Sequence, residues 1–132
     1  MTTFGCFLSS EENGPRALVE QAQMAERAGF ERVTVSDHFH PWMDSQGESP
    51  FVWSVIGGIA ATTNLEVTTA VTCPILRIHP AIVAQAAATS SSMLQGSFRL
   101  GQEHAKPGPS RSTRVSYGVL PEPRHRPHSS DP

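Results

Sequence analysis

Hydrophobic and polar positions alternate between two periods along the first hundred residues. Phe4-Gly-Cys-Phe-Leu8 is a short apolar run that breaks into the polar stretch Ser9–Gly14, the pattern of a buried strand opening into a loop. Pro15 suits a first helical position. Leu18, Ala22, Ala25 and Ala28 then recur three or four residues apart, with Val19 and Met24 at the edges of the same face. Gly29 is placed to end that helix. Arg32-Val-Thr-Val-Ser36 predicts a second strand, followed by a Pro-, Gly- and polar-rich loop from about Asp37 to Ser49. Pro50 opens a helix over Phe51 to Thr62, and Leu65-Glu-Val-Thr-Thr-Ala-Val-Thr72 predicts a third strand. Pro80 opens a third helix that runs to about Leu94 and is closed by Gly96; Ser97-Phe-Arg-Leu100 begins a fourth strand. The order βαβαβαβ predicts an α/β fold with a parallel sheet. Periodicity leaves two architectures open, a doubly wound sheet and part of a (β/α)8 barrel.

The pattern stops near Gly101. Residues 102–132 hold six of the eleven prolines, five Lys or Arg, and His104, His125 and His128, with few apolar side chains. Such a stretch buries too little surface to offset its ordering entropy, so a disordered Pro/Arg/His-rich tail is expected there, foreign to the domain at 1–101.

Composition narrows the partners. Ten Lys and Arg against twelve Asp and Glu give a net charge of −2, with no basic field for nucleic acid or an anionic membrane. No apolar run is long enough to span a bilayer, and the first residues lack a basic segment leading into an apolar one. Two cysteines, Cys6 and Cys73, read as reduced thiols in a cytoplasmic protein, with Cys6 in the core and Cys73 a small residue lining the end of the third strand.

In either parallel architecture, ligands bind at the carboxyl ends of the strands. Three segments lie there: Ser9–Gly14, Ser36–Trp42 and Ala70–His79. The second is the richest, because Ser36-Asp-His-Phe-His-Pro-Trp42 brings a carboxylate, two imidazoles and an indole into seven residues. An imidazole accepts or gives a proton near neutral pH, a carboxylate orients a neighbour or holds a polar ligand group, and an indole covers a flat ring. The plainer alternative is that Asp37 and His38 form turns or caps and Trp42 is packing. His38 and His40 lack a third ligand at metal spacing, so no metal is expected. No Gly-x-Gly-x-x-Gly follows the first strand, and Gly57-Gly58 lies within the second helix, where it reads as a close-packing site.

Four blocks carry a family resemblance: Ser36–Trp42, Ser49-Pro-Phe-Val-Trp-Ser-Val-Ile-Gly57, Thr68-Thr-Ala-Val-Thr-Cys-Pro74, and Arg77-Ile-His-Pro-Ala-Ile-Val-Ala-Gln-Ala-Ala-Ala-Thr89. In this order, over about residues 4–101, they resemble the F420-dependent members of the luciferase-like monooxygenase superfamily, in the branch similar to F420-dependent glucose-6-phosphate dehydrogenase. The resemblance implies a partial (β/α)8 TIM barrel of three to four βα units, and a hydride-transferring oxidoreductase using coenzyme F420 and a small organic substrate. It implies that His38 and Trp42 are catalytic and that Asp37, Ala70, Val71 and Cys73 bind the cofactor. It also implies a non-proline cis peptide at Ala70 and Val71. Cys73 falls where that branch carries a cofactor-contacting threonine. The family continues past Gly101 with a glycine-rich segment that this sequence lacks, so Glu103 takes no role, and a truncated, weakly active or inactive chain is expected. Exposed first and fourth strand edges would then invite homo-oligomers or aggregation. Two other readings stand beside this one: an FMN-dependent luciferase-like monooxygenase on the same barrel, and a non-catalytic half-barrel interaction module.

Overall fold

The computed structural model describes residues 3–73, 77–104 and 114–119, the last of these, with residues 103–104, as backbone only. The elements follow as β1 (Gly5–Leu8), α1 (Pro15–Arg27), β2 (Arg32–Val35), α2 (Val52–Thr62), β3 (Glu66–Thr69), α3 (Pro80–Met93), β4 (Phe98–His104) and β5 (Arg114–Val119). They form one sheet ordered β1-β2-β3-β4-β5, with the first four strands parallel and β5 antiparallel to β4. Each parallel strand lies beside its predecessor, and the order never reverses. Successive right-handed crossovers therefore put α1, α2 and α3 on the same face. A doubly wound sheet would reverse direction; this is the winding of a barrel, carried through its first units.

The sequence signals account for the boundaries. Pro15 sits in the first turn of α1, and the helix closes in a Schellman motif. There Phe30 N–H bonds to Ala25 O at 3.0 Å and Gly29 N–H to Glu26 O at 2.9 Å. Gly29 has φ of 88°, a left-handed conformation that side-chain-bearing residues adopt only under strain. Pro80 opens α3, and His79 caps it: its Nδ1 accepts the Ala81 N–H at 3.2 Å.

One core joins the helices to the covered face of the sheet. Leu8, Val33, Val35, Leu65, Val67 and Phe98 meet Leu18, Ala22 and Ala25 of α1, Val52, Val55, Ile56 and Ile59 of α2, and Val83 and Ala87 of α3. The Trp53 and Phe98 rings pack tilted, with centroids 5.9 Å apart. Of the Gly57-Gly58 pair read as a close-packing site, Gly58 is one, since a Cβ there would lie 2.9 Å from Val19 Cγ2, whereas a Cβ at Gly57 would meet nothing within 4 Å. Cys6 is only half-buried at the rim of this core.

Alternate strand positions point to the face without helices. There Glu66 pairs with Arg32 at 3.2 Å and reaches Arg99 at 3.8 Å, a charged ladder across the face that a complete barrel encloses. Phe7, on β1, is exposed on the same alternation.

The fourth strand runs beyond its expected end, and the segment expected as a disordered tail contributes Gln102–His104 and all of β5. The physical signal is the period-two pattern Val115, Tyr117, Val119, which bulk composition masks. The nine intervening residues are too few for a helical crossover and suit an antiparallel return. The rest of the expected tail, with His125 and His128, lies outside the described residues. Because β5 pairs with β4, β4 is not the open edge anticipated; among the described residues the outer strands of the sheet are β1 and β5. No helix among the described residues is long and apolar enough to cross a membrane.

Candidate active site

The parallel register brings the ends of β1, β2 and β3 level. Leu8 pairs with Val35 and Val35 with Thr69, so the loops that follow emerge side by side. Ser36 joins the first two. Its N–H bonds to Leu8 O at 3.2 Å, and its Oγ accepts the Ser10 N–H at 2.8 Å and donates to Glu11 Oε2 at 2.8 Å. Ser10 Oγ returns a hydrogen bond to Ser36 O at 2.6 Å. Ser10, Glu11 and Ser36 are all buried.

The other oxygen of Glu11 meets His38 Nδ1. Burial pushes the Glu11 carboxyl up. The hydrogen bonds from Ser36, His38 and its own backbone N–H, with the charge of His38, outweigh that and hold it below the ordinary carboxylate range. Glu11 is thus an ionised acceptor at neutral pH, and the proton between the two groups resides on Nδ1. In neutral His38 that leaves the lone pair on Nε2, which makes Nε2 the basic atom of the ring. The His38 side chain is about a quarter exposed, at 27%. Trp42 stands edge-on to it, with ring centroids 5.2 Å apart and planes at 79°. Ser49 Oγ donates to His38 O at 2.7 Å and Glu48 N–H to Glu11 O at 3.1 Å, so the long loop is tied back to the dyad.

Asp37 points the other way, toward β3. Its carboxylate is fully enclosed, with Thr72 Oγ1 donating to Oδ2 at 2.8 Å and the Arg77 guanidinium paired with Oδ1. Between Thr69 and Thr72 the chain passes through a cis peptide at Ala70–Val71, the position the resemblance implied. Ala70 N–H bonds to Val35 O at 2.8 Å and Thr72 N–H to Gly101 O at 2.8 Å, which fixes this segment between β2 and β4. Ala70, Val71 and Cys73 are half-buried there, around the buried Thr72.

The structure therefore gathers five of the six indicated residues, Asp37, His38, Ala70, Val71 and Cys73, at the ends of β2 and β3, with Trp42 against His38. His40 stands apart and bonds to Pro41 O at 2.8 Å. Glu11, Ser36, Thr72 and Arg77 were not singled out in the sequence. Each lay in one of the three segments indicated at the strand ends, but nothing local marked Glu11 above Glu12, or Arg77 as the partner of a residue 40 positions away.

A singly wound parallel sheet with a carboxylate–imidazole dyad at its carboxyl ends is the arrangement of the first units of a (β/α)8 barrel. The chain belongs to the luciferase-like monooxygenase family, whose model matches residues 1–123. It is 44% identical over 98 residues to an F420-dependent hydroxymycolic acid dehydrogenase of Mycobacterium tuberculosis, covering 74% of this chain and 27% of that protein. It is 43% identical over 100 residues to F420-dependent glucose-6-phosphate dehydrogenase 1 of Rhodococcus jostii, covering 74% of this chain and 30% of that one. A solved F420-dependent secondary alcohol dehydrogenase, in complex with an F420-acetone adduct, superposes with a TM-score of 0.71 at 41% identity over 76% of this chain and 31% of that chain. The chain thus spans less than a third of the length of these relatives.

Proposed function

We propose that this chain carries the proton-handling part of an F420-dependent oxidoreductase that moves a hydride between the deazaflavin and a small organic substrate. The carrying observation is the Glu11–His38 dyad, with its basic Nε2 beside Trp42 at the strand ends. The chemistry of the neighbouring residues fits a flat cofactor. Ala70 and Val71 offer a low, half-buried shelf next to Cys73, and Asp37, tied to Thr72 and Arg77, stiffens that shelf from behind. Held there by Ala70, Val71 and Cys73, F420 would supply a two-electron acceptor for the hydride on a hydroxyl-bearing carbon of the substrate. The hydroxyl proton passes to His38 Nε2, and the carbonyl double bond forms. Glu11 stabilises the imidazolium that results, and Trp42 holds the ring and screens it from water on one side.

Titration with F420 and with FMN, followed by the cofactors' own fluorescence, tests the reading. Saturable F420 binding that exceeds FMN binding is expected. His38→Ala should leave binding intact and slow alcohol-dependent loss of deazaflavin absorbance by about 10²-fold or more. FMN binding without F420 binding would favour the monooxygenase reading instead.

A further inference from the structure

We infer that Ser36 is a positioning residue for the proton transfer at His38: its hydroxyl pins the Glu11 carboxylate in the orientation that leaves Oε1 facing the imidazole. This rests on the proton-handling reading above and adds to it what fixes the ring tautomer. Ser36 is 1% exposed and directly follows β2, one residue before Asp37 and two before His38. The donors and acceptors around it decide which way its hydroxyl points. Ser10 N–H donates to Ser36 Oγ at 2.8 Å, which occupies one lone pair. The single Ser36 proton then has three acceptors in reach: Glu11 Oε2 at 2.8 Å, Ser10 Oγ at 2.9 Å and Leu8 O at 3.4 Å. Leu8 O already receives Ser36 N–H at 3.2 Å, and Ser10 Oγ gives its own proton to Ser36 O at 2.6 Å. The carboxylate is both the nearest acceptor and the charged one, so it takes the proton. The Ser10 N–H on the same oxygen polarises the hydroxyl and strengthens that donation.

The two oxygens of Glu11 are thereby divided. Oε2 receives Ser36 and, at 3.1 Å, Ser9 Oγ. Oε1 meets His38 Nδ1, with Ser10 Oγ more distant at 3.3 Å. Burial raises the Glu11 carboxyl, and the bond from Ser36 leads the causes that lower it. Without the Ser36 oxygen, Ser10 N–H and Glu11 Oε2 face each other across the space it filled, each having been 2.8 Å from it. A buried N–H and a buried carboxylate left unpaired are costly, and closing that space relieves both. The carboxylate then moves toward the loop after β1 and away from the imidazole. The proton of neutral His38 is no longer held on Nδ1, and Nε2 loses its lone pair in part of the molecules.

The test reads the tautomer itself, on the full 132-residue chain at pH 8 without cofactor. Histidine labelled with 15N in the ring distinguishes a protonated from a bare nitrogen by NMR, and His38→Gln assigns the His38 signals. The unaltered chain should carry the proton on Nδ1; a proton on Nε2 overturns the inference at once. Ser36→Ala should lower the ratio of Nδ1–H to Nε2–H about tenfold, the loss of one hydrogen bond to a charged group. Ser36→Cys, which keeps a weak donor and acceptor, should fall between the two. Ser9→Ala, at a half-buried position whose side chain bonds to Glu11 alone among the described residues, should move the ratio the same way by less. An unchanged ratio in a Ser36→Ala chain whose amide spectrum is otherwise native overturns the inference. So does a higher ratio, which would mean that Ser36 only draws charge from the carboxylate. If Ser36→Ala does not fold, Ser36→Cys and Ser9→Ala decide, and no change in either overturns it. F420 binding is read separately by deazaflavin fluorescence. F420 binding with an unmoved tautomer removes this inference alone; the tautomer shift without F420 binding removes the cofactor reading and leaves Ser36 acting on the Glu11–His38 pair.

Discussion

Two buried carboxylates flank Ser36 and do opposite things. Glu11, from the loop after β1, and Asp37, from the end of β2, are equally withdrawn from water. Glu11 is paired with an imidazole that reaches solvent, and Asp37 with a guanidinium. An imidazole changes charge near neutral pH and a guanidinium does not. The Glu11 side of the site can therefore pass a proton, while the Asp37 side holds one shape, joining β2 to the segment between β3 and α3. The chemistry of each carboxylate comes from its partner rather than from its own burial.

Substitutions should separate the two sides, beginning with the larger effect. Asp37→Ala leaves Arg77 beside an emptied, enclosed position and should cost about 3 kcal/mol in urea unfolding. A loss under about 1 kcal/mol would mean that the pair is not the brace described. Glu11→Gln keeps the shape but offers one acceptor where Ser36 and His38 each require one, for a loss of about 2 kcal/mol at pH 7. That loss should depend on pH. The folded-state pKa of Glu11 lies below its unfolded value. Its contribution is therefore complete above the unfolded pKa, about 4.3, and disappears as pH falls through the folded one. Unfolding midpoints of Glu11→Gln and the unaltered chain should converge on acidification; a constant gap down to pH 3 would contradict the ionised dyad.

Thr72→Val removes one of the two described partners of Asp37 and should cost about 1 kcal/mol. Trp42→Phe should change stability by less than about 0.5 kcal/mol, because the indole is largely exposed. Its effect should appear in hydride transfer, and a large stability loss would recast Trp42 as packing.

The sheet ends in two outer strands, β1 and β5, and β1 also presents the exposed Phe7. Phe7→Lys should raise the soluble fraction measured by light scattering, whereas unchanged aggregation would place the sticky surface elsewhere.

Much of this was legible along the chain. The three helices and four parallel strands follow from apolar periodicity, with Pro15, Pro80 and Gly29 marking limits, because those signals act over a few residues. Asp37, His38 and Trp42 stood out because they are consecutive with the end of a strand. Glu11 was invisible beside Glu12: what distinguishes it is contact with Ser36 and His38, 25 and 27 residues on. Arg77 and Thr72 likewise acquire meaning only where β2 and β3 lie in register. β5 was missed because composition was weighed above a six-residue alternation.

The sequence by itself determined the three helices and the first four strands, their order and the segment richest in chemistry, since periodicity, capping and turn chemistry are local. Only the tertiary structure decided the winding, the covering of β4, and which carboxylate serves the imidazole. Hydrogen bonds and ion pairs form between neighbours in space, and in a parallel sheet those neighbours come from loops separated by whole helices.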